Sequence, residues 1–597
     1  MPAKIISAKS FWRHCVWLTM AIALVASACG GGDSDSSSEP VTPPTSSGQD
    51  QNGADGGGDS DGSSGTTGGS SADSQAAVDG GTSSSEAQSA ETAAPAAAEP
   101  VYGGEVTIGL EAETGQGWNP ATTQCAASCH IIMRAVFDSL MYEDANGIFR
   151  PYLLESTTSN DDFTEWTFTL RPDIFFHDGT PANAAALRRH IIEIKQGFLT
   201  GQVLAMLDDP DTNIEILTDL SILIRLNTPV AAFPSLFSGQ LGYFAAPTQY
   251  DSENSAQTPI GTGPFQFESW TVDQEFVVTR NPSYWKQDSQ GRQLPYLDKV
   301  VFRPIPDSDT RAAALSSGDI NISHDNSALD APSYAEDFNV LREGDRFRET
   351  TYILINHESE PFGDVRARQA LAMCTDQERY HVLRAGGNTA VANGPFSPGT
   401  PGWLEDTGYP SYDPDAGRAL WEQVGFSEGI TIAASNDPFN RTSSELLAEM
   451  WGDCGLDISI TQVDQGQLIS NAVVGNFQLI LWRNHTGTSL ENERVWWHSD
   501  NARQSLAVNA ARIRNPVIDQ AFTDARQTRD LDELRAIAEE VNREFGRQVH
   551  NLWLIWSLWL IIFDDSVKNA GVLHIPDHGP ALPTYGGRLA LAEIWRE

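Results

Sequence analysis

Apolar side chains at every second position mark one clear strand, where Trp166, Phe168 and Leu170 alternate with Thr167 and Thr169. A period of two is that of a strand buried on one face. His177-Asp178-Gly179-Thr180-Pro181 follows with turn chemistry, and Asn183 stands where it can cap a helix through 184–187. Asp413 with Pro414 predicts another helix start, and Gly425 its end. Ser443 or Ser444 is expected to open a helix that stops at Gly455, with a short strand over 458–460. Asp530 and Glu533 resemble a capping box, and Leu534, Ile537, Val541 and Phe545 recur behind them at helical spacing. The apolar run 552–563 carries Trp553, Trp556 and Trp559. A bilayer span needs about 20 apolar residues, so the run is expected to form a buried strand pair. Strand and helix patterns mix without an internal repeat. The expected fold class is therefore α/β (mixed α+β), in several lobes.

The N-terminus is of another kind. Lys4, Lys9 and Arg13 precede a short apolar stretch over 16–26, and Ala26-Ser27-Ala28-Cys29-Gly30 follows. These are the marks of an export signal. Cys29 directly after Ala28 resembles a lipoprotein signal, so residues 1–28 are expected to be cleaved and Cys29 lipidated. Residues 29–100 are Gly, Ser, Asp, Ala and Thr, with 12 acids and no Lys or Arg. Such a segment buries too little surface to offset its chain entropy, so it is expected to be a disordered tether. Gly58-Asp59-Ser60-Asp61-Gly62 matches the hydrolase nucleophile pattern, but that pattern needs a strand-turn-helix setting.

Charge and cysteines narrow the function. Beyond signal and tether, 68 acids face 35 bases. Nucleic-acid binding depends on Lys and Arg neutralising phosphates, so no nucleic-acid partner is expected. Cys125, Cys129, Cys374 and Cys454 are disulfide candidates in an exported chain. Three pairings are open, and Cys125 with Cys129 and Cys374 with Cys454 is the expected one. A metal site at Cys125-x3-Cys129-His130 lacks a second ligand pair, and His574 with His578 is a spacing that chance supplies. No metal, no cofactor and no catalytic residues are expected: neither a placed nucleophile and base nor an H-E-x-x-H motif occurs.

Several landmarks then stand in order along the chain: Gly117-Trp118-Asn119-Pro120; Phe137-Asp138-Ser139-Leu140; Trp166 to Pro172; Phe176 to Pro181; Ile260-Gly261-Thr262-Gly263-Pro264-Phe265; Asn281 to Trp285; Pro295 to Val300; Leu315 to Ile320; Asp364 to Leu371; and Tyr412-Asp413-Pro414. On these residues the chain resembles the extracellular solute-binding proteins of family 5, the peptide, nickel and oligosaccharide receptors of ABC importers. The resemblance covers nearly all of the folded region. It implies a three-lobed fold of the large peptide-binding type, with two main lobes around a hinged cleft. Lobe I would comprise 101–142, 257–351 and 563–597, lobe II 143–256, and lobe III 352–562. It implies a monomer anchored outside the cytoplasm by lipidated Cys29, with an ABC permease as partner and a small-molecule or peptide ligand. The ligand would be captured by closure of the lobes.

In that family a lobe III strand and loop face the cleft. Here they are 477–487, so Trp482, Arg483, Asn484 and His485 are the expected ligand residues, with Trp118 and Asn119 from lobe I. Peptide-binding members usually place an Asp in this loop, and this chain has no carboxylate before Glu491. An acid elsewhere in the cleft could pair with a peptide's ammonium. Alternatively, Arg483 could fork onto a carboxylate or phosphate. Trp482 could stack on a sugar or aromatic group, while Trp496 and Trp497 read as core. An oligopeptide-like solute is the leading expectation. The others are an oligosaccharide or anionic conjugate, a surface sensor reusing the fold, and, least supported, a secreted hydrolase.

Overall fold

The computed structural model describes residues 99–597 apart from 114–116, 124, 343–348, 485–488, 504–505, 583 and 585. The expected signal, Cys29, His485 and all but the last two tether residues lie outside the described residues. The rest belongs to one compact unit, Ala94–Glu597, built on three larger sheets; we call the regions around them lobes I, II and III.

Lobe I carries seven strands in the order Asn339–Arg342, Leu560–Phe563, Ile322–Asp325, Glu105–Leu110, Lys299–Pro304, Glu275–Arg280 and Phe265–Thr271. Glu105–Leu110 lies parallel to Lys299–Pro304 and to Ile322–Asp325. All of it but Glu105 is buried, as suits a central strand covered on both faces. Lobe II carries four strands, Leu154–Ser159, Glu165–Leu170, Ser221–Arg225 and Ile214–Ile216. Trp166, Phe168 and Leu170 supply the buried face that the alternation predicts. Lobe III carries five, in the order Ile458–Val463, Ile430–Ser435, Leu479–Asn484, Glu349–Ile355 and Asn551–Ser557.

The run 552–563 does form two buried strands, but they do not pair with each other. Asn551–Ser557 joins Glu349–Ile355 in lobe III, whereas Leu560–Phe563 inserts between two strands of lobe I. The chain thus crosses between these sheets twice, once between Arg342 and Glu349 and once at Leu558 and Trp559.

Helix starts follow local capping chemistry. Asn183 accepts from the Ala186 N–H at the head of Ala184–Gln196. Asp413 accepts from Ala416 N–H ahead of Pro414–Val424, and Gly425 ends that helix in the left-handed region. Asp530 accepts from the Asp532 and Glu533 N–H groups at the head of Leu531–Gln548. One start differs from expectation. The helix expected to open at Ser443 or Ser444 runs over Pro438–Asp453 and is capped by Asp437. Asp437-Pro438 is the same N-cap and first-turn proline signal as Asp413-Pro414, and both serines are buried inside the helix.

Cys125 bonds to Cys129 and Cys374 to Cys454. The second bridge joins the ends of two helices, Val365–Met373 and Pro438–Asp453, since each cysteine is the residue after its helix. The Gly261-Thr262-Gly263 landmark marks a close approach of backbone to backbone. A Cβ on Gly261 would fall 2.2 Å from the Val136 carbonyl oxygen, and one on Gly263 would fall 2.6 Å from it. Between them Thr262 donates to Asp138 Oδ2 at 3.0 Å. Trp285 donates to the same oxygen and Tyr284 to Oδ1. Burial pushes the Asp138 carboxyl up to about 6 against these hydrogen bonds.

Candidate functional site

Leu479–Asn484 lies between Ile430–Ser435 and Glu349–Ile355 in the lobe III sheet. Its period of two sorts its side chains to two sides. Leu479 and Leu481 enter the core that holds Ile353, Ile355 and Trp451. Ile480 is on the other side, with Trp482 packed against the same cluster as Tyr352 and Trp497. Trp482 is paired in register with Tyr352. With Tyr352, Leu354, Trp496, Trp497, Ile513 and neighbours it lines a small apolar pocket. Trp497 is 1% exposed and is core, as its sequence setting suggests, whereas Trp482 and Trp496 are half-buried.

Arg483 emerges on the opposite side of the strand, toward lobe I. Its Nη2 donates to Glu111 Oε1 at 2.8 Å, and its Nε lies 3.2 Å from Glu349 Oε2. Glu111 follows the central strand of lobe I, and Glu349 opens the first strand of lobe III. The guanidinium also lies 4.5 Å over the Trp559 ring, whose Nε1 donates to Glu349 Oε2 at 3.0 Å. His324 of lobe I stacks on the same ring at 4.5 Å, and Asn326 donates to the second Glu111 oxygen at 2.7 Å. Glu349, which opens lobe III after one crossing, and Trp559, in the other, therefore both meet Arg483.

Burial pushes the Glu111 carboxyl above its ordinary value, opposed by the Arg483 and Arg311 guanidiniums. Burial works against the Arg483 charge too, but the Glu111 and Glu349 carboxylates outweigh it and raise its pKa. His324 is held neutral by burial and by the same two arginines. Arg311 is itself paired with Asp325 at 2.9 Å, so Glu111 and Glu349 are left to share Arg483 and this corner carries a surplus carboxylate.

The remaining expected residues are placed differently. Trp118 is fully buried in lobe I, edge-on to Trp270 at 5.5 Å and 4.6 Å from Phe276. It is a core side chain in this structure and offers no surface to a solute. Asn119 is buried and builds a turn, its Oδ1 accepting from Ala121 N–H at 3.0 Å and its Nδ2 donating to Ser255 at 3.3 Å. Asn484 is half-buried opposite Thr350. Glu111, Glu349 and His324 were not singled out by the sequence, and Trp559 only as part of an apolar run; no motif marks them, because only the fold brings them to Arg483.

Two sheets between which the chain passes twice, with aromatic and ionic side chains gathered at their junction, suit a binding protein of the lobed, solute-holding class. The particular family follows from the sequence match. The chain belongs to the bacterial extracellular solute-binding proteins, family 5, whose Middle region matches residues 149–505. The glutathione-binding protein GsiB of Pectobacterium atrosepticum is 24% identical over 71% of this chain and 83% of its own length. The nickel-binding periplasmic protein of Escherichia coli is 25% identical over 68% and 80%. Among solved structures, the periplasmic binding protein DppA of Helicobacter pylori, in complex with the peptide STSA, superposes with a TM-score of 0.73 at 19% identity. That match covers 83% of this chain and 99% of DppA. These likenesses establish a mixed α/β fold of the peptide-binding type.

Proposed function

We propose that this chain is the capture subunit of an ABC importer. It takes an oligopeptide-like solute between lobes I and III by closure about the two crossing segments, and hands it to a permease. Lipidated Cys29 and the acidic tether hold it at the outer face of a membrane. The observation that carries the ligand assignment is the carboxylate surplus around Arg483. The loop after Trp482 lacks the Asp usual in peptide-binding relatives, and a buried ammonium needs a carboxylate partner. Glu111 and Glu349 supply it from the two sides of the junction, while Arg483, already paired, is poorly placed to take a ligand anion. The Trp482 pocket adds an apolar seat for a side chain.

A thermal-shift screen of the chain from residue 30 onward tests this. The panel is di- to hexapeptides, cello- and xylo-oligosaccharides, anionic amino-acid conjugates and nickel complexes. A ligand of the folded state raises apparent stability as ln(1 + [L]/Kd). Short peptides with a free amino terminus are expected to raise Tm, and N-acetylated ones much less. A rise only with sugars or anionic conjugates replaces the peptide assignment, and no rise with any class removes the receptor reading.

A further inference from the structure

Lobes II and III are joined by no chain segment of their own, because each is inserted into lobe I. They nevertheless touch, and the most detailed contact among the described residues is at a turn. The turn between helices Pro516–Ala525 and Leu531–Gln548 of lobe III lies on the lobe II sheet. Ala231 of lobe II donates its backbone N–H to the Arg526 carbonyl at 2.8 Å. Three residues on, the Arg529 guanidinium lies 4.6 Å over the Phe163 ring and 4.9 Å over that of Trp166. Its Nη2 donates to Ser159 Oγ at 3.1 Å and its Nε to the Ala231 carbonyl at 3.4 Å. Ala231 is thus held through both its N–H and its C=O. The turn is itself anchored, since Arg526 forms an ion pair with Glu491, whose side chains are only 10% and 5% exposed. Glu491 belongs to helix Leu490–Trp497, which packs against residues 200–203 and 233–238 of lobe II.

We infer that the 526–529 turn is a latch across lobes II and III, with Arg529 as the side chain that sets how long the lobes stay together. This rests on the reading that the lobes open and close around a solute. The chemistry suits reversible closure. Opening returns a guanidinium to water at little cost and breaks one backbone hydrogen bond, without leaving a charge buried. Closing places the still exposed cation over two aromatic faces, an attraction modest enough to be made and broken repeatedly. Arg529 is not among the residues that line the Trp482 pocket, so on this reading it acts on affinity through the fraction of protein in the binding-competent state.

The test needs no ligand, so it can fail or succeed independently of the receptor reading. Ala232→Cys and Gln527→Cys are introduced into the chain from residue 30, and the rate of cross-linking by a short bifunctional thiol reagent is measured. Such trapping counts closure events even when the closed form is a minority. Arg529→Ala is expected to slow cross-linking about two- to fivefold, the size of a cation–π contact whose cation stays exposed. Arg529→Lys, which keeps the cation and guards against a folding failure, should fall between. Arg535→Ala, on the exposed face of the neighbouring helix, should leave the rate unchanged. Equal rates in the parent and Arg529→Ala overturn the latch, as does the absence of any cross-link in the parent.

Discussion

Arg483 and Glu111 lie 2.8 Å apart although 372 positions separate them in the sequence. The contact ties the central strand region of lobe I to the middle of the lobe III sheet, with Glu349 as a third member. Arg483 is 31% and Glu111 16% exposed, so the pair is worth more than a surface ion pair and less than a fully buried one. Arg483→Ala should destabilise the folded chain by about 1–3 kcal/mol, read from the urea midpoint. A double-mutant cycle with Glu111→Gln should return a coupling of about 1 kcal/mol, and zero coupling would show that the contact contributes nothing in solution.

The Trp482 pocket and the Trp118 core give opposite expectations. For any compound that raises Tm, Trp482→Ala should weaken binding by about tenfold or more, a loss visible in titration calorimetry, while costing modest stability. Trp118→Ala should instead cost about 3–5 kcal/mol of stability, as a large buried ring does. It should leave the affinity of the protein that still folds within about twofold. The reverse pattern would exchange their roles.

Two buried groups give the stability curve opposing slopes with pH. Burial pushes the His190 imidazole down to about 4 while the Leu241 carbonyl favours its charged form. An unfolded chain takes up that proton near 6.5. The contribution is therefore present above pH 6.5 and is lost as pH falls toward 4, by about 3 kcal/mol in full. Asp138 has its pKa raised instead, to about 6. Its contribution is complete below about pH 3.9 and is lost as pH rises through 6. His190→Gln should flatten the acid-side loss in chemical denaturation series, and Asp138→Asn should flatten the opposing slope. Parallel curves for parent and variant would remove either assignment.

Gly263→Ala should cost about 2 kcal/mol or more, because its Cβ would meet the Val136 carbonyl at 2.6 Å and backbone yields less readily than a side chain. Gly425→Ala is the comparison: nothing lies within 4 Å of its Cβ. Its cost is then only that of a left-handed residue, about 1 kcal/mol. Calorimetric Tm values that rank the two the other way would refute the close-approach reading of the landmark.

Reducing Cys374–Cys454, or replacing both cysteines by alanine, should lower stability by about 2–5 kcal/mol, since 80 positions separate them. The Cys125–Cys129 bridge closes only a short loop and should matter less. Melting curves of the two double-alanine variants compare them directly.

What could be read from the sequence was what neighbouring residues decide. Asn183, Asp413 and Asp530 cap the helices they were expected to cap because capping is chemistry over two or three positions. The alternation at Trp166, Phe168 and Leu170 gives their burial for the same reason. The helix at Pro438 was misplaced because serines inside it resemble caps as well as Asp437 does. The run 552–563 shows its strands but not that they serve different sheets, since a central strand of either sheet is equally apolar. Trp482 and Arg483 are adjacent and equally conspicuous. That one lines a pocket while the other bridges two carboxylates depends on Glu111 and Glu349, whose nearness no local pattern records.

The position of Leu560–Phe563 also bears on the order in which the protein can be made. This strand leaves the ribosome after all the strands of lobe III, yet it sits inside the lobe I sheet, between Ile322–Asp325 and Asn339–Arg342. Until it arrives, those two strands, made more than two hundred residues earlier, have an empty lane between them. Lobe III, whose strands all lie within 349–557, can by contrast assemble from consecutive sequence during that wait. The lobe I sheet is thus completed by a strand made after lobe III, and a chain cut short before residue 560 would leave two bare strand edges, surfaces on which exported proteins aggregate.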